Sequence, residues 1–301
     1  LQAAQLDDQA AAVTAFDKAL FGHIGFAISN FFRTFWLSLT GGAFSSSPYS
    51  DATAKYYKQM NRFSAAMALM SDVAMGTLGG DLKRRERISA RLGDILSMLY
   101  LTSAVLKRYN DEGRKIDDLP LVQWACEDNL AKAQLALNEL FDNFPNRVVG
   151  VVLKRVVFPW GRTLRKASDI IEHKVARIMQ TPGEARSRLG SHMYLTNEPQ
   201  NQLGLMEQAL LDVLAAEPVF DKVTHAAGKR LPFFRLNEVA DLGLELKVIS
   251  EAEADILRTA EKGRLFAINV DDFEPAYLAA DKTLTQQGPG AVETDKKVKA
   301  A

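Results

Sequence analysis

Tyr56, Met60, Phe63, Met67, Met70, Ala74 and Leu78 recur at intervals of three and four residues, and the series stops at Gly79-Gly80. That spacing puts all seven on one face of an α-helix, and paired glycines end it. A second stripe, Ile88, Leu92, Ile95, Leu99, Leu106 and Tyr109, closes at Gly113. A third, Trp124, Leu130, Leu137, Leu140 and Phe141, follows Pro120 and ends before Pro145. Pro120 suits the first turn of a helix, where its missing N–H costs nothing. With the apolar segment that precedes them, these stripes predict four long helices joined by short loops, an antiparallel bundle over residues 1–144. Asp51 or Ser50 is the expected N-cap of the second helix.

Residues 145–268 predict a second helical region of shorter units. Val148, Val152 and Val156 repeat at four and oppose Arg147 and Lys154, so Val148–Val157 reads as a helix. Ser168 opens another that runs to about residue 180, and the segment around residues 186–202 reads as an irregular loop. Helices are expected over 203–216, 218–228 and 235–246. Ser250-Glu251-Ala252-Glu253 has the form of a capping box and predicts a helix from 251 to about 267. From Asn269 to the end the chain turns polar, and 269–301 reads as an extended or mobile tail. The expected class is all-α: an antiparallel helical bundle, further shorter helices, and a polar C-terminal tail.

The stretch "AFDKALFGHIGFAISNFFRTFWLSLTGG", Ala15 to Gly42, is the most apolar in the chain. Only 14 uncharged residues separate Lys18 from Arg33, short of the roughly 20 that a spanning helix uses. On a helical wheel Val13, Phe16, Leu20, Phe21, Ile24, Ile28, Phe31, Phe32, Phe35 and Leu39 share one broad face. Lys18, His23, Ser29, Asn30 and Arg33 lie opposite, and Phe26 and Leu37 sit among them. The expectation is that the Ile24–Ile28–Phe31–Phe35 face packs into the bundle while Phe26, Leu37 and Trp36 stay accessible. Two readings stand side by side: a helix packed on both sides, or one resting partly in a bilayer interface or acyl-chain groove.

Thirty-seven basic residues balance 37 acidic ones, so no overall field draws the chain to nucleic acid. Cys126 is the single cysteine, which excludes an internal disulfide framework and suits a reducing cytoplasm. The four histidines have no metal-ligand spacing, and no phosphate loop or acid–base pair appears, so no catalytic, cofactor-binding or metal residue is assigned. Asp72 and Asp94 interrupt apolar stripes and call for partners, with Arg62 or Arg91 the candidates. Lys83, Arg84, Arg85, Arg87 and Arg91 crowd the start of the third helix. From Asn143 to Ser168 there are six basic residues and no acidic one, with Phe158, Pro159 and Trp160 among them. Aromatics beside cations suit an anionic bilayer, and equally a protein contact. The candidate membrane or partner surface is therefore Phe26, Trp36, Leu37, Lys154, Arg155, Phe158, Trp160 and Arg162.

"LGGDLKRRERISARLGDILSMLYLTSAVLKRY", "LPLVQW", "NFPNRVV", "FPWGR" and "INVDDF" resemble the C-terminal region of bacterial FadE-type acyl-CoA dehydrogenases, from about Phe16 to Phe273. More loosely, the arrangement resembles the helical domain after the catalytic domain of the mitochondrial very-long-chain enzyme, whose greasy segment is associated with the inner membrane. The resemblance implies a parent flavoenzyme of fatty-acid β-oxidation that uses FAD to convert acyl-CoA to trans-2-enoyl-CoA. It implies a homodimer, an acyl-CoA substrate, and a catalytic domain as this segment's own partner. It places the protein in the cytoplasm, with peripheral contact at the cytoplasmic face of the inner membrane as an option. The family's glutamate base and flavin contacts have no counterpart in this numbering and are expected upstream of Leu1, leaving this segment inactive alone. The alternative is a membrane-surface or partner-binding helical module with no role in turnover.

Overall fold

Glycine and proline set most of the helix ends in the computed structural model, which describes residues 9–196, 198 and 200–270. Among these residues there is no strand. The α-helices are α1 (Gln9–Leu39), α2 (Ala54–Leu78), α3 (Glu86–Asp111), α4 (Leu119–Asp142), α5 (Arg147–Val157), α6 (Asp169–Gln180), α7 (Glu184–Leu189), α8 (Gln202–Ala227), α9 (Leu236–Glu245) and α10 (Glu251–Ile268). Gly79, at φ +52, ends α2 in a conformation that costs residues with a Cβ more. Of the expected tail, 269–301, residues 269 and 270 are non-helical and 271–301 lie outside the described residues.

The chain divides into two compact units between Ser191 and His192. The division expected after residue 144 lies inside the first unit, because α5 shares a core with the helices before it. That core is built from α2, α3, α4 and α5. Phe63, Met70, Ile95, Leu106, Leu137 and Leu140 are fully buried in it, and Leu153, Val156, Val157 and Phe158 extend it. Each such burial contributes about 1.5–3 kcal/mol. Neighbouring helices run antiparallel. Arg91 at the start of α3 pairs with Glu139 near the end of α4 at 3.6 Å, and Arg114 just after α3 binds Asp51 just before α2. No residue of α1 belongs to this core, so three long helices and α5 form it, not the four of the sequence-based expectation.

The seat of α5 differs from its four-residue valine repeat. A Cβ at Gly150 would lie 2.5 Å from the Phe141 carbonyl oxygen and 3.1 Å from the Phe144 Cβ. Only glycine permits that approach, and it fixes the rotation of the helix. Gly150, Leu153, Val156 and Val157 turn inward, while Val148 and Val152 are exposed. Because the nearest obstacle is backbone, Gly150→Ala should lower the stability of the first unit by about 2 kcal/mol. A urea midpoint unchanged from the parent would refute this packing.

Asp51 does not cap α2 with its side chain. The helix starts one step after Thr53, and Asp51 accepts from the Thr53 amide (2.9 Å), the Thr53 hydroxyl (2.6 Å) and the Arg114 guanidinium. Arg114, at φ +55, lies 3.7 Å from the Tyr49 ring centroid and 5.0 Å from that of Tyr109. Burial alone would raise the Asp51 carboxyl, but the bonds from Thr53 and Arg114 prevail and hold it at about 2, against an ordinary 3.8. A depressed carboxylate stabilises the fold above its unfolded pKa and loses that contribution as pH falls through the folded value. The stability difference between the parent and Asp51→Asn should therefore be flat above pH 5 and vanish between about pH 4 and 2. Urea titrations across that range measure it; a difference that persists at pH 2 would remove the carboxylate from the account.

In the second unit α8, α9 and α10 enclose Ala216, Val223, Leu236, Ala240, Leu257 and Ala260. The expected break near Pro218 is absent. α8 runs through it as one helix of 26 residues, since packing on α9 and α10 offsets the one backbone bond a proline removes. The capping box is complete in both directions, Glu253 amide to Ser250 hydroxyl and Ser250 amide to Glu253 carboxylate. The short α7, Glu184–Leu189, runs into the start of the segment expected to be a loop, 186–202.

Candidate interaction surface

α1 is turned inside out relative to a helix packed in a water-soluble core. Its buried residues are Asn30, Thr34, Leu37 and Ser38. Its aromatic face looks outward, with Phe21 exposed by 68%, Phe32 by 64%, Phe26 by 56% and Trp36 by 54%. Ile24, Ile28, Phe31 and Phe35, expected to pack into the bundle, are exposed too, and Leu37, expected outside, is buried. Between Gln9 and Ser29 no residue is buried at all. The buried residues of α1 therefore all lie in its last ten positions.

The ties at that end explain the rotation. Gln59 Nε2 donates to the Gly41 carbonyl at 2.7 Å, Lys58 Nζ to the Ala43 carbonyl at 3.0 Å, and Trp160 Nε1 to the Leu39 carbonyl at 2.9 Å. Gly42 packs so near the Lys58 carbonyl that a Cβ would meet its oxygen at 3.1 Å. Such an approach admits small side chains, and Asn30, Thr34 and Ser38, four apart, supply them. The seam is poor in hydrogen bonds. Asn30 Nδ2, Thr34 Oγ1, Ser38 Oγ and, on α2, Asp72 Oδ2 are buried with no partner among the described residues. Each such group costs about 1–3 kcal/mol. His23 approaches Asp72 at 3.9 Å, so Asp72 does not take Arg62 as partner. Asp94 is exposed, and Arg91 goes to Glu139.

Arg62 is 3% exposed and has no carboxylate partner among the described residues. It donates to the Val157 carbonyl at 3.1 Å and to Gln59 Oε1 at 3.4 Å, with the Phe63 and Phe158 rings 5.4 and 5.9 Å away. Burial pushes its guanidinium below the usual range. What it serves is the C-terminus of α5, where unpaired carbonyls carry partial negative charge. Cys126 is buried, and burial reinforced by nearby Glu127 pushes its thiol up to about 12, so it is a structural residue.

The two sequence-predicted halves of the surface meet at the C-terminal end of α1. Trp36 stacks on Phe44 with centroids 6.0 Å apart, and Trp160, 70% exposed, has its indole N–H committed to Leu39. Arg155 and Arg162 are exposed, while Lys154 is half-buried and bound to Asp142 at 2.7 Å. Phe158 leaves the set: it is buried against Phe141, with ring centroids 5.7 Å apart. Phe44 joins it, a residue that no periodicity marks because it lies in a turn. α5, which packs on α1, adds exposed Val148, Val151 and Val152.

A family model described as acyl-CoA dehydrogenase, C-terminal, bacterial type, matches residues 1–273. The chain belongs to this family. No solved structure matches it. In this acyl-CoA dehydrogenase C-terminal domain α1 is the helix, among the described residues, long and apolar enough to cross a membrane, although Asp17, Lys18 and Arg33 interrupt it. No group of three or more His, Cys, Asp or Glu placed to hold a metal occurs among the described residues. Hollows open on the surface of the first unit. The hollow of about 470 Å³ beside Ile116, Pro120, Lys174 and Arg177 has no aromatic wall, and the apolar one beside Trp124 measures about 240 Å³.

Proposed function

We propose that this domain is the accessory part of an FAD-dependent acyl-CoA dehydrogenase, a cytoplasmic homodimer that converts acyl-CoA to trans-2-enoyl-CoA in β-oxidation. In this reading the flavin, the acyl-CoA and the glutamate base belong to a separate catalytic domain of the parent enzyme. The domain's task is to hold the enzyme on the anionic cytoplasmic face of the inner membrane. The observation that carries the task is the orientation of α1. In water an outward apolar face and an inward Asn30–Thr34–Ser38 stripe are both unfavourable; against acyl chains the outward face becomes favourable. Trp36, Phe44 and Trp160 at one end, with Arg155 and Arg162 exposed, have the chemistry of the headgroup region.

The test compares the parent enzyme with and without residues 1–301, and residues 1–301 alone. Alone, the domain should emerge colourless from gel filtration after incubation with FAD. The truncated parent should still oxidise soluble short-chain acyl-CoA but no longer sediment with anionic vesicles. A flavin absorption band on the isolated domain would overturn the division of labour. Undiminished sedimentation of the truncated parent would overturn the membrane role.

A further inference from the structure

A second surface, remote in sequence from α1, concentrates positive charge without matching acid. The 3-10 turn Gly79–Arg84 leads into α3, whose N-cap Arg85 contributes no side-chain cap. The free amides of a helix's first turn carry the positive end of its dipole, so cations there are on the unfavourable side. Yet Lys83, Arg84, Arg85, Arg87 and Arg91 gather at this end. Internal compensation is thin. Arg84 reaches Asp81 only at 3.8 Å with both side chains in solvent, and Arg91 approaches Glu139 at 3.6 Å through Nε. Arg85 and Arg87 form no ion pair among the described residues. Arg84, Arg85, Arg87 and Arg91 line one cavity of about 460 Å³, bounded across from them by Asn143 and Pro145 of the α4–α5 turn. Glu86 is its one acidic lining residue, and no aromatic ring reaches it.

We infer that this cavity binds a phosphate group. Four guanidinium groups offer paired N–H donors whose spacing matches phosphate oxygens, and the uncapped α3 amides add donors of the same sign. The lack of an aromatic wall means that charge is read here and a nucleobase is not. The room suits a diphosphate or a phosphodiester with its substituents. Such a group comes either from a soluble phosphorylated coenzyme or from an anionic phospholipid head, and the inference stands apart from the role given to α1.

The experiment titrates residues 1–301 with inorganic pyrophosphate by calorimetry, beside Arg84→Ala/Arg87→Ala and a control, Lys229→Ala/Arg230→Ala. All four side chains are exposed, so circular dichroism should show both variants folded. Pyrophosphate affinity should fall at least tenfold in the first variant, stay within twofold in the control, and weaken with added salt. Parallel arms with coenzyme A and with phosphatidylglycerol vesicles, the latter on a Phe21→Ser/Phe32→Ser background, identify the source by which shows the same arginine dependence. No saturable pyrophosphate binding at millimolar concentration, or equal binding by parent and Arg84→Ala/Arg87→Ala, overturns the site.

Discussion

Phe21→Ser/Phe32→Ser should weaken binding of the parent enzyme to anionic vesicles by roughly 100-fold. Each ring already has about two-thirds of its surface in solvent, so its transfer into acyl chains is worth about 1–2 kcal/mol. Losing two such terms gives the stated factor. Stability should change by no more than about 0.5 kcal/mol, because neither ring supports the fold. The counterpart is Leu37→Ser, on the buried side of the same helix. It should cost about 2 kcal/mol of stability and leave the vesicle affinity of the folded protein unchanged. Co-sedimentation and urea unfolding, run together, separate the two faces of α1. If the double serine variant binds vesicles as tightly as the parent, lipid is not what covers that face.

Arg62→Ala should destabilise the first unit by about 3 kcal/mol, in two parts. One is the buried Val157 carbonyl, which loses its guanidinium donor at 3.1 Å. The other is the void left between the Phe63 and Phe158 rings. Arg62→Met keeps most of the volume and removes a charge held without a counter-ion, so its cost should be nearer 1 kcal/mol. For a unit of this size the alanine variant should melt about 6–12 °C lower. Thermal and urea unfolding measure both. An alanine variant within 1 kcal/mol of the parent would mean that Arg62 does not hold α5.

Helix existence and most helix ends were legible in the sequence, because the stripes on α2 and α3 each serve a single core and glycines stop them. The rotation of α1 and α5 was not. Periodicity identifies two faces but does not say which meets protein, and for both helices a backbone approach decided it: Gly42 on the Lys58 carbonyl, Gly150 on the Phe141 carbonyl. The same limit misplaced Leu37 and Phe158 in the expected surface, since their surroundings come from residues far along the chain. Trp36, Trp160, Arg155 and Arg162 were picked out by composition alone, and the Trp160–Leu39 bond that joins the two segments spans 121 residues. Asp72 and Arg62 each looked like half of an ion pair, and each found another partner.

Because burial on α1 begins only at Asn30, the preceding 21 helical residues behave largely as cargo that the rest of the first unit must keep in solution. Solubility and fold therefore have separate determinants in this domain. Shortening the chain to begin near Asn30 removes most of the sticky surface and none of the buried residues. That boundary is the natural cut for crystallisation, and the longer form is the one to prepare in detergent.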